Sequence, residues 1–186
     1  MRLTRGRAVP LHTANFSSTR SLRVSTVSLL LFVLAAAPVT GKAADPKAAI
    51  TTLLDDWHLA AAQADEARYF QYFTPDAIYL GTDATERWTR DEFRAWAKPY
   101  FSKGKAWTFK ATSRHITVSK DGKVAWFDEV LDTPNLGPSR GSGVLVKDGA
   151  TWKIAQYNLS IPIPNDIVDD VVKRIAEASK PAAPKN

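Results

Sequence analysis

The 186-residue chain predicts an α+β fold, with helices first and a run of antiparallel strands after them. Three observations carry this. Apolar residues recur at helical spacing from Ile50 to Ala61. A capping-box pattern, Thr89-Arg-Asp-Glu92, opens a second apolar-faced helix. From Ala106 to Ile161, segments of alternating character are separated by Asp121-Gly122, Pro134 to Pro138 and Asp148-Gly149. Helices followed by a meander of strands bury their apolar sides against each other in layers and enclose one cavity.

Asp45 can cap the first helix, and Pro46 suits its first position because the missing N–H has no partner there. Ile50, Leu53, Leu54, Trp57 and Ala61 form its buried stripe. Asp65 and Glu66 open a short helix through Tyr69, Phe70 and Phe73, which the pre-proline Thr74 brings to a stop. Asp76 to Leu80 is expected as a strand. The helix behind Thr89 presents Phe93, Trp96, Ala97 and Tyr100, runs to about Ser102 and ends at Gly104. Strands are expected near Ala106 to Ser119, Lys123 to Leu131, Ser139 to Lys147 and Thr151 to Ile161. Pro162 and Pro164 close the last one. Ile167, Val168, Val171, Val172 and Ile175 then give an amphipathic helix behind an Asn165 or Asp166 cap, seeking its own sheet or a second protomer to dock on.

The formal net charge of +6 points to a basic protein, yet Arg2, Arg5, Arg7, Arg20, Arg23 and Lys42 all precede residue 44 without one acid among them. From Ala44 onward, 19 Lys and Arg face 19 Asp and Glu, so the charge gives no argument for a nucleic-acid partner. Residues 1–43 read as a secretory signal. They hold a basic segment through Arg23, about 14 mostly apolar residues from Val24 to Ala37, and Gly41-Lys-Ala43 before Ala44. A spanning helix needs about 20 apolar residues, and Pro38, Gly41 and Lys42 interrupt this run. Cleavage after Ala43 or Ala44 is expected, with an uncleaved anchor as the alternative. The location is then periplasmic or secreted, without stable membrane insertion once the signal is removed. Residues 44–178 form one domain, and 179–186 a flexible tail.

The chain has no cysteine, which excludes disulfides, thiolate metal sites and a thiol nucleophile. His58 and His115 are separated and His12 lies in the signal, so no metal site is expected. There is no G-x-S-x-G elbow, phosphate-binding glycine loop or H-E-x-x-H helix, and no cofactor is expected.

The helices-then-sheet order, Phe73-Thr-Pro-Asp-Ala-Ile-Tyr79, Val124-Ala-Trp-Phe127, and Gly143-Val-Leu-Val146 followed by Trp152-Lys-Ile154 resemble the SnoaL-like branch of the nuclear transport factor 2-like superfamily, over roughly Ile50 to Pro164. The resemblance implies a cone-shaped, cystatin-like fold, with N-terminal helices packed in a strongly bent antiparallel sheet around a pocket, and homodimers paired through their sheets. That fold hosts ketosteroid isomerases, polyketide cyclases, dehydratases and a kinase association domain, so fold alone does not assign function. If the strand rhythm follows the kinase association domain, which the chain also resembles, Ala125, Phe127 and Glu129 point inward. Arg140, Ser142 and Val144 follow on the next strand, and Gln156, Asn158 and Ser160 on the last.

Such a lining, sparse in polar groups, suits a small organic ligand, with Glu129 and Arg140 as leading pair. A buried ion pair with no ligand is the plainer account. Asp83 and Glu86, in Gly81-Thr-Asp-Ala-Thr-Glu-Arg-Trp88, are further ligand candidates at a rim or lid, set against a purely turn-forming role. His58 can act from the first helix as acid, base or donor, or serve as a structural histidine. Tyr79 can offer a phenol, whereas strand parity turns Tyr157 outward. Trp107, Trp126 and Trp152 read as core or interface. Three functions stand open: an exported small-molecule-binding protein, a small isomerase, cyclase or dehydratase using Glu129 or Asp83, and a dimeric association module for a protein partner.

Overall fold

The computed structural model describes residues 45–180, which belong to one compact unit. The expected signal, its cleavage point and the end of the tail lie outside the described residues. No helix among those described is long and apolar enough to cross a membrane.

Helix α1 spans Pro46–Ala62, with the Asp45 carboxylate accepting from Lys47 N at 3.0 Å and Pro46 in the first turn. Its buried stripe is Ile50, Leu54, Trp57, Ala60 and Ala61, joined by His58. Helix α2 (Glu66–Phe70) is one turn capped by Asp65. Strand β1 begins at Phe73, three residues before the expected start, and runs to Leu80. A short strand not foreseen from the sequence, β2 (Arg87–Thr89), folds back on it. Thr89 then caps α3 (Arg90–Phe101) through the full capping box, its hydroxyl accepting from Glu92 N while Glu92 accepts from Thr89 N at 2.8 Å. Two backbone donors at the helix start are thereby satisfied.

The four strands after α3 are β3 (Lys110–Val118), β4 (Val124–Asp132), β5 (Ser139–Asp148) and β6 (Thr151–Ser160). The sheet order is β2-β1-β6-β5-β4-β3, antiparallel throughout except that β1 runs parallel to β6. Gly122 and Gly149, at φ of 69° and 57°, take the left-handed conformation that the two tight turns require. Helices α1 and α3 pack on one face of the sheet, α1 against β3 and β6, α3 against β1 and β2. The core between them is aromatic, with Trp57 and Tyr69 stacked at 5.1 Å and Tyr79 on Phe93 at 3.8 Å.

Two β-bulges decide which side chains enter that core. Leu145 pairs with Ile154 but Val144 with Gln156, so Ala155 is an extra residue in β6. Strand parity reverses there. Trp152 and Ile154 face the core before the bulge, and Tyr157 and Leu159 after it. The sequence expectation of an outward Tyr157 and inward Gln156, Asn158 and Ser160 is therefore corrected. On β3, Ala111 pairs with Leu131 but Ser113 with Val130, leaving Thr112 extra and turning Arg114 toward the core face.

Strand β4 follows the expected rhythm, with Ala125, Phe127 and Glu129 buried. Directly paired residues share a face, and Glu129 pairs with Gly141. Gly141 and Gly143 thus point inward, while Arg140, Ser142 and Val144 point away, opposite to expectation. The small inward residues fit what they meet. A Cβ at Gly141 would lie 2.9 Å from Glu129 Oε1, and one at Gly143 would lie 2.8 Å from the Phe127 ring.

After β6 a 3₁₀ turn, Asn165–Ile167, leads into α4 (Val168–Ala178). The expected Asn165 or Asp166 cap does not form, because both residues lie inside that turn and no side chain caps α4. Its apolar residues Val168, Val172 and Ile175 remain exposed within the single chain.

Candidate functional site

Glu129 is the most buried charged residue described, 1 % exposed, and its partners come from two directions. His58, one residue along from the Trp57 stripe of α1, places Nε2 at 2.8 Å from Oε1. Arg114, delivered by the bulge in β3, donates from Nε to Oε2 at 2.8 Å, with Nη2 equally near. Nη1 of the same guanidinium donates to Asp55 Oδ1 at 2.8 Å and to the carbonyl of Thr51 at 3.3 Å, tying the sheet to α1. Burial pushes the Glu129 carboxyl up, but the His58 bond and charge and the Arg114 charge outweigh it and hold the group below its ordinary range. An ionised carboxylate only accepts, so the proton in the His58 bond sits on Nε2. Nδ1 is then left buried and without a partner among the described residues.

The phenol of Tyr157 lies on the same side, 0 % exposed and without an aligned hydrogen bond among the described residues. Burial, and after it the nearby Glu129 charge, pushes this phenol far above its ordinary value, so it stays protonated. His58 reaches a surface cleft as well, lined also by Asp55, Leu59, Thr108 and Phe109. The arrangement fixes the Nε2 proton of His58 against a held carboxylate, with the ring edge bordering the cleft and Nδ1 enclosed.

A cavity of about 360 Å³ with mostly aromatic walls lies elsewhere. Its walls are the indoles of Trp88, Trp96 and Trp107 with Tyr79, Tyr100, Phe93 and Phe109. Local structure explains the assembly. Phe93, Trp96 and Tyr100 share one face of α3 at three- and four-residue spacing, and Trp88 pairs with Tyr79 across β2 and β1. The irregular segment 106–109, expected as strand, supplies Trp107 and Phe109 instead. Polar groups are few: Thr82, Glu86, Thr133 and Asn135. Glu86 Oε2 accepts from Asp83 N at 3.2 Å, and the carboxylate has no ion pair among the described residues. It sits near Tyr79, whose phenol is pushed above its ordinary value by burial first and by this charge second.

The remaining candidates scatter. Asp83 accepts from Thr85 N at 2.8 Å and organises its own turn, as the turn-forming account expects. It faces a second concavity of about 680 Å³ together with Asn158 and Ser160, between the 81–84 loop and the apolar Ile167 and Val171. Gln156 lies beside Ile78, Leu80 and Arg87 on the other side of the sheet. Arg140 and Ser142 are on the outer face, and Arg140 is not the partner of Glu129. The structure thus brings together His58, Glu129 and two residues that sequence reasoning missed, Arg114 and Tyr157. Counting back by twos from the apolar Ile116 and Leu159 would have found both.

An α+β sheet wrapped on helices, with an aromatic cavity and a buried polar cluster, defines a pocket-bearing domain of the cystatin-like class. The chain belongs to the SnoaL-like domain family, whose pattern matches residues 50–164. No curated relative matches it in sequence. Among solved structures, it is similar to a protein of Novosphingobium aromaticivorans given a provisional aromatic-ring-hydroxylase label, at 17 % identity and a TM-score of 0.56 over 64 % of this chain and 90 % of that one. It is similar also to a protein of Streptomyces avermitilis with a provisional dehydratase label in the nuclear transport factor 2-like family, at 13 % identity and 0.54 over 64 % and 97 %. A cystatin-like-fold protein of Nostoc punctiforme matches at 14 % identity and 0.53 over 62 % and 90 %. At these identities the likeness establishes the nuclear transport factor 2-like fold and nothing of the chemistry.

Proposed function

We propose that this protein is an exported, homodimeric carrier or sensor of a small organic molecule, held in the aromatic cavity beside α3. The observation that carries the reading is that cavity itself: about 360 Å³, seven aromatic side chains and four polar groups, the composition of a site that orients one small ligand. Export rests on the signal-like residues 1–43. Pairing is supported by Trp126 and Val130, large apolar residues exposed on the outer sheet face, and by the uncovered apolar side of α4.

Native mass spectrometry of the protein purified from the periplasmic fraction tests all three parts. A processed dimer carrying a discrete extra mass, lost in Trp96→Ala, is the expected result. A protein that is empty at every charge state in the wild type removes the carrier reading.

A second reading, a small isomerase or dehydratase, is favoured by one specific arrangement. His58 is backed by Glu129 on one nitrogen and lines a cleft, as an acid–base residue must. Asp83, satisfied within its exposed turn, is the weaker base. Turnover of a candidate ligand that falls at least a hundredfold in His58→Gln, with the fold intact, would move the assignment to an enzyme.

A further inference from the structure

We propose that the aromatic cavity selects an organic cation, a tertiary or quaternary ammonium lying against Trp88, Trp96 and Trp107 with Glu86 as its counter-charge. This rests on the small-molecule reading above and names the ligand's chemistry. Indole faces are the strongest neutral partners for a cation, and several converging faces replace the hydration of an ammonium that carries no N–H to satisfy.

Trp88, Trp96 and Trp107 all border the one cavity, with Tyr100 beside them. Trp88 and Trp96 stack on each other at 5.1 Å, Trp96 and Tyr100 lie 4.9 Å apart, and Trp107 stands 6.5 Å from both Trp96 and Tyr100, so the cation meets the ring faces and edges that this packing leaves open. The lining holds one charged side chain, the carboxylate of Glu86, and no Lys or Arg. The nearest arginine in sequence is kept away by strand parity. Arg87 pairs with Leu80 and lies on the opposite face of the β1–β2 ribbon from Trp88 and Tyr79. An anionic ligand would meet a like charge in the lining, and a neutral one would leave the Glu86 carboxylate with the Asp83 N–H but no counter-charge. Tyr100 already carries a cation of this chain, with Lys103 Nζ 5.8 Å from its ring centre.

Two probes of one shape separate charge from fit: 4-hydroxyphenyltrimethylammonium and the neutral 4-tert-butylphenol, with 4-tert-butylbenzoate as the anion. Binding to the purified protein is followed by quenching of tryptophan fluorescence and by calorimetry. The ammonium should bind about tenfold more tightly than the phenol and the benzoate should not bind, in keeping with desolvated cation–aromatic contacts. Glu86→Gln, which keeps an acceptor for the Asp83 N–H, should remove most of that preference while leaving the affinity for the phenol unchanged. Equal or tighter binding of the phenol overturns the cation inference and leaves the small-molecule reading standing. Binding of none of the three overturns both. A preference that survives in Glu86→Gln overturns the role given to Glu86.

Discussion

Glu129 and Glu86 are both carboxylates near aromatic side chains, and their surroundings divide the molecule into two regions. Around Glu129 every oxygen has a cationic or imidazole partner, the guanidinium of Arg114 is itself tied to α1, and the glycine at 141 leaves only the room the cluster fills. Around Glu86 the partners are rings and a backbone N–H, and about 360 Å³ stays open. The first region has spent its charge on joining helix to sheet. The second keeps an uncompensated charge facing a space, which is the condition for recognising something from outside.

The sharpest way to break this comparison is at Arg114. Arg114→Ala strands a buried carboxylate and should cost about 3 to 5 kcal/mol in urea unfolding, more than truncation of the half-exposed cavity ring Trp96. The pH dependence carries the same logic. Because the folded Glu129 is held below its ordinary value near 4.5, its contribution is fully present above that pH and is lost as pH falls through the depressed folded value. Glu129→Gln should therefore flatten the loss of thermal stability below about pH 4.5. An acid limb unchanged from wild type would mean that other carboxylates drive it.

Gly141→Ala comes next, at about 1 to 3 kcal/mol, because the added methyl runs into the buried Tyr157 hydroxyl and meets Glu129 Oε1 at 2.9 Å. A neutral result by chemical denaturation would show the cluster to be looser than its geometry implies. Ser142→Ala, one residue on and facing outward, is the matched control.

How far the sequence disclosed this division depends on the element. Periodicity exposed α1, α3 and the alternation of β4, so His58 and Glu129 were both visible as candidates, and the Asp-Gly pairs located the hairpins. Arg114 and Tyr157 were missed because a parity counted forward from the strand start crosses a bulge that leaves no mark in composition. Thr112 and Ala155 are ordinary strand residues, yet each reverses the parity of the strand beyond it, and Arg114 and Tyr157 enter where Arg140 and Asn158 were expected. The cavity was hidden for another reason. Trp88, Trp96 and Trp107 come from three different elements, and each alone reads as core packing.

A smaller effect, about 1 kcal/mol, is expected from Thr89→Ala, which opens the capping box of α3. Since Phe93, Trp96 and Tyr100 all ride on that helix, hydrogen exchange in its first turn should rise together with a modest loss of ligand affinity. Exchange around Glu129 should stay as it was, and a rise there would show the two regions to be one cooperative unit.

The smallest stability change with the largest functional one is expected at Trp96. Its side chain is 42 % exposed and touches mainly other cavity rings, so Trp96→Ala should cost under about 1 kcal/mol. It nevertheless removes one wall of the site, and bound ligand should be lost. His58→Gln makes the opposite case, since it weakens a fully buried bond to Glu129 while leaving the cavity wall intact. Calorimetric melting and ligand retention measured on both variants should therefore dissociate in opposite directions. If His58→Gln loses ligand as completely as Trp96→Ala while melting like wild type, the buried cluster takes part in binding, and the boundary between structural and recognition charge must be redrawn through the His58 cleft, with Phe109 as the wall the two sites share.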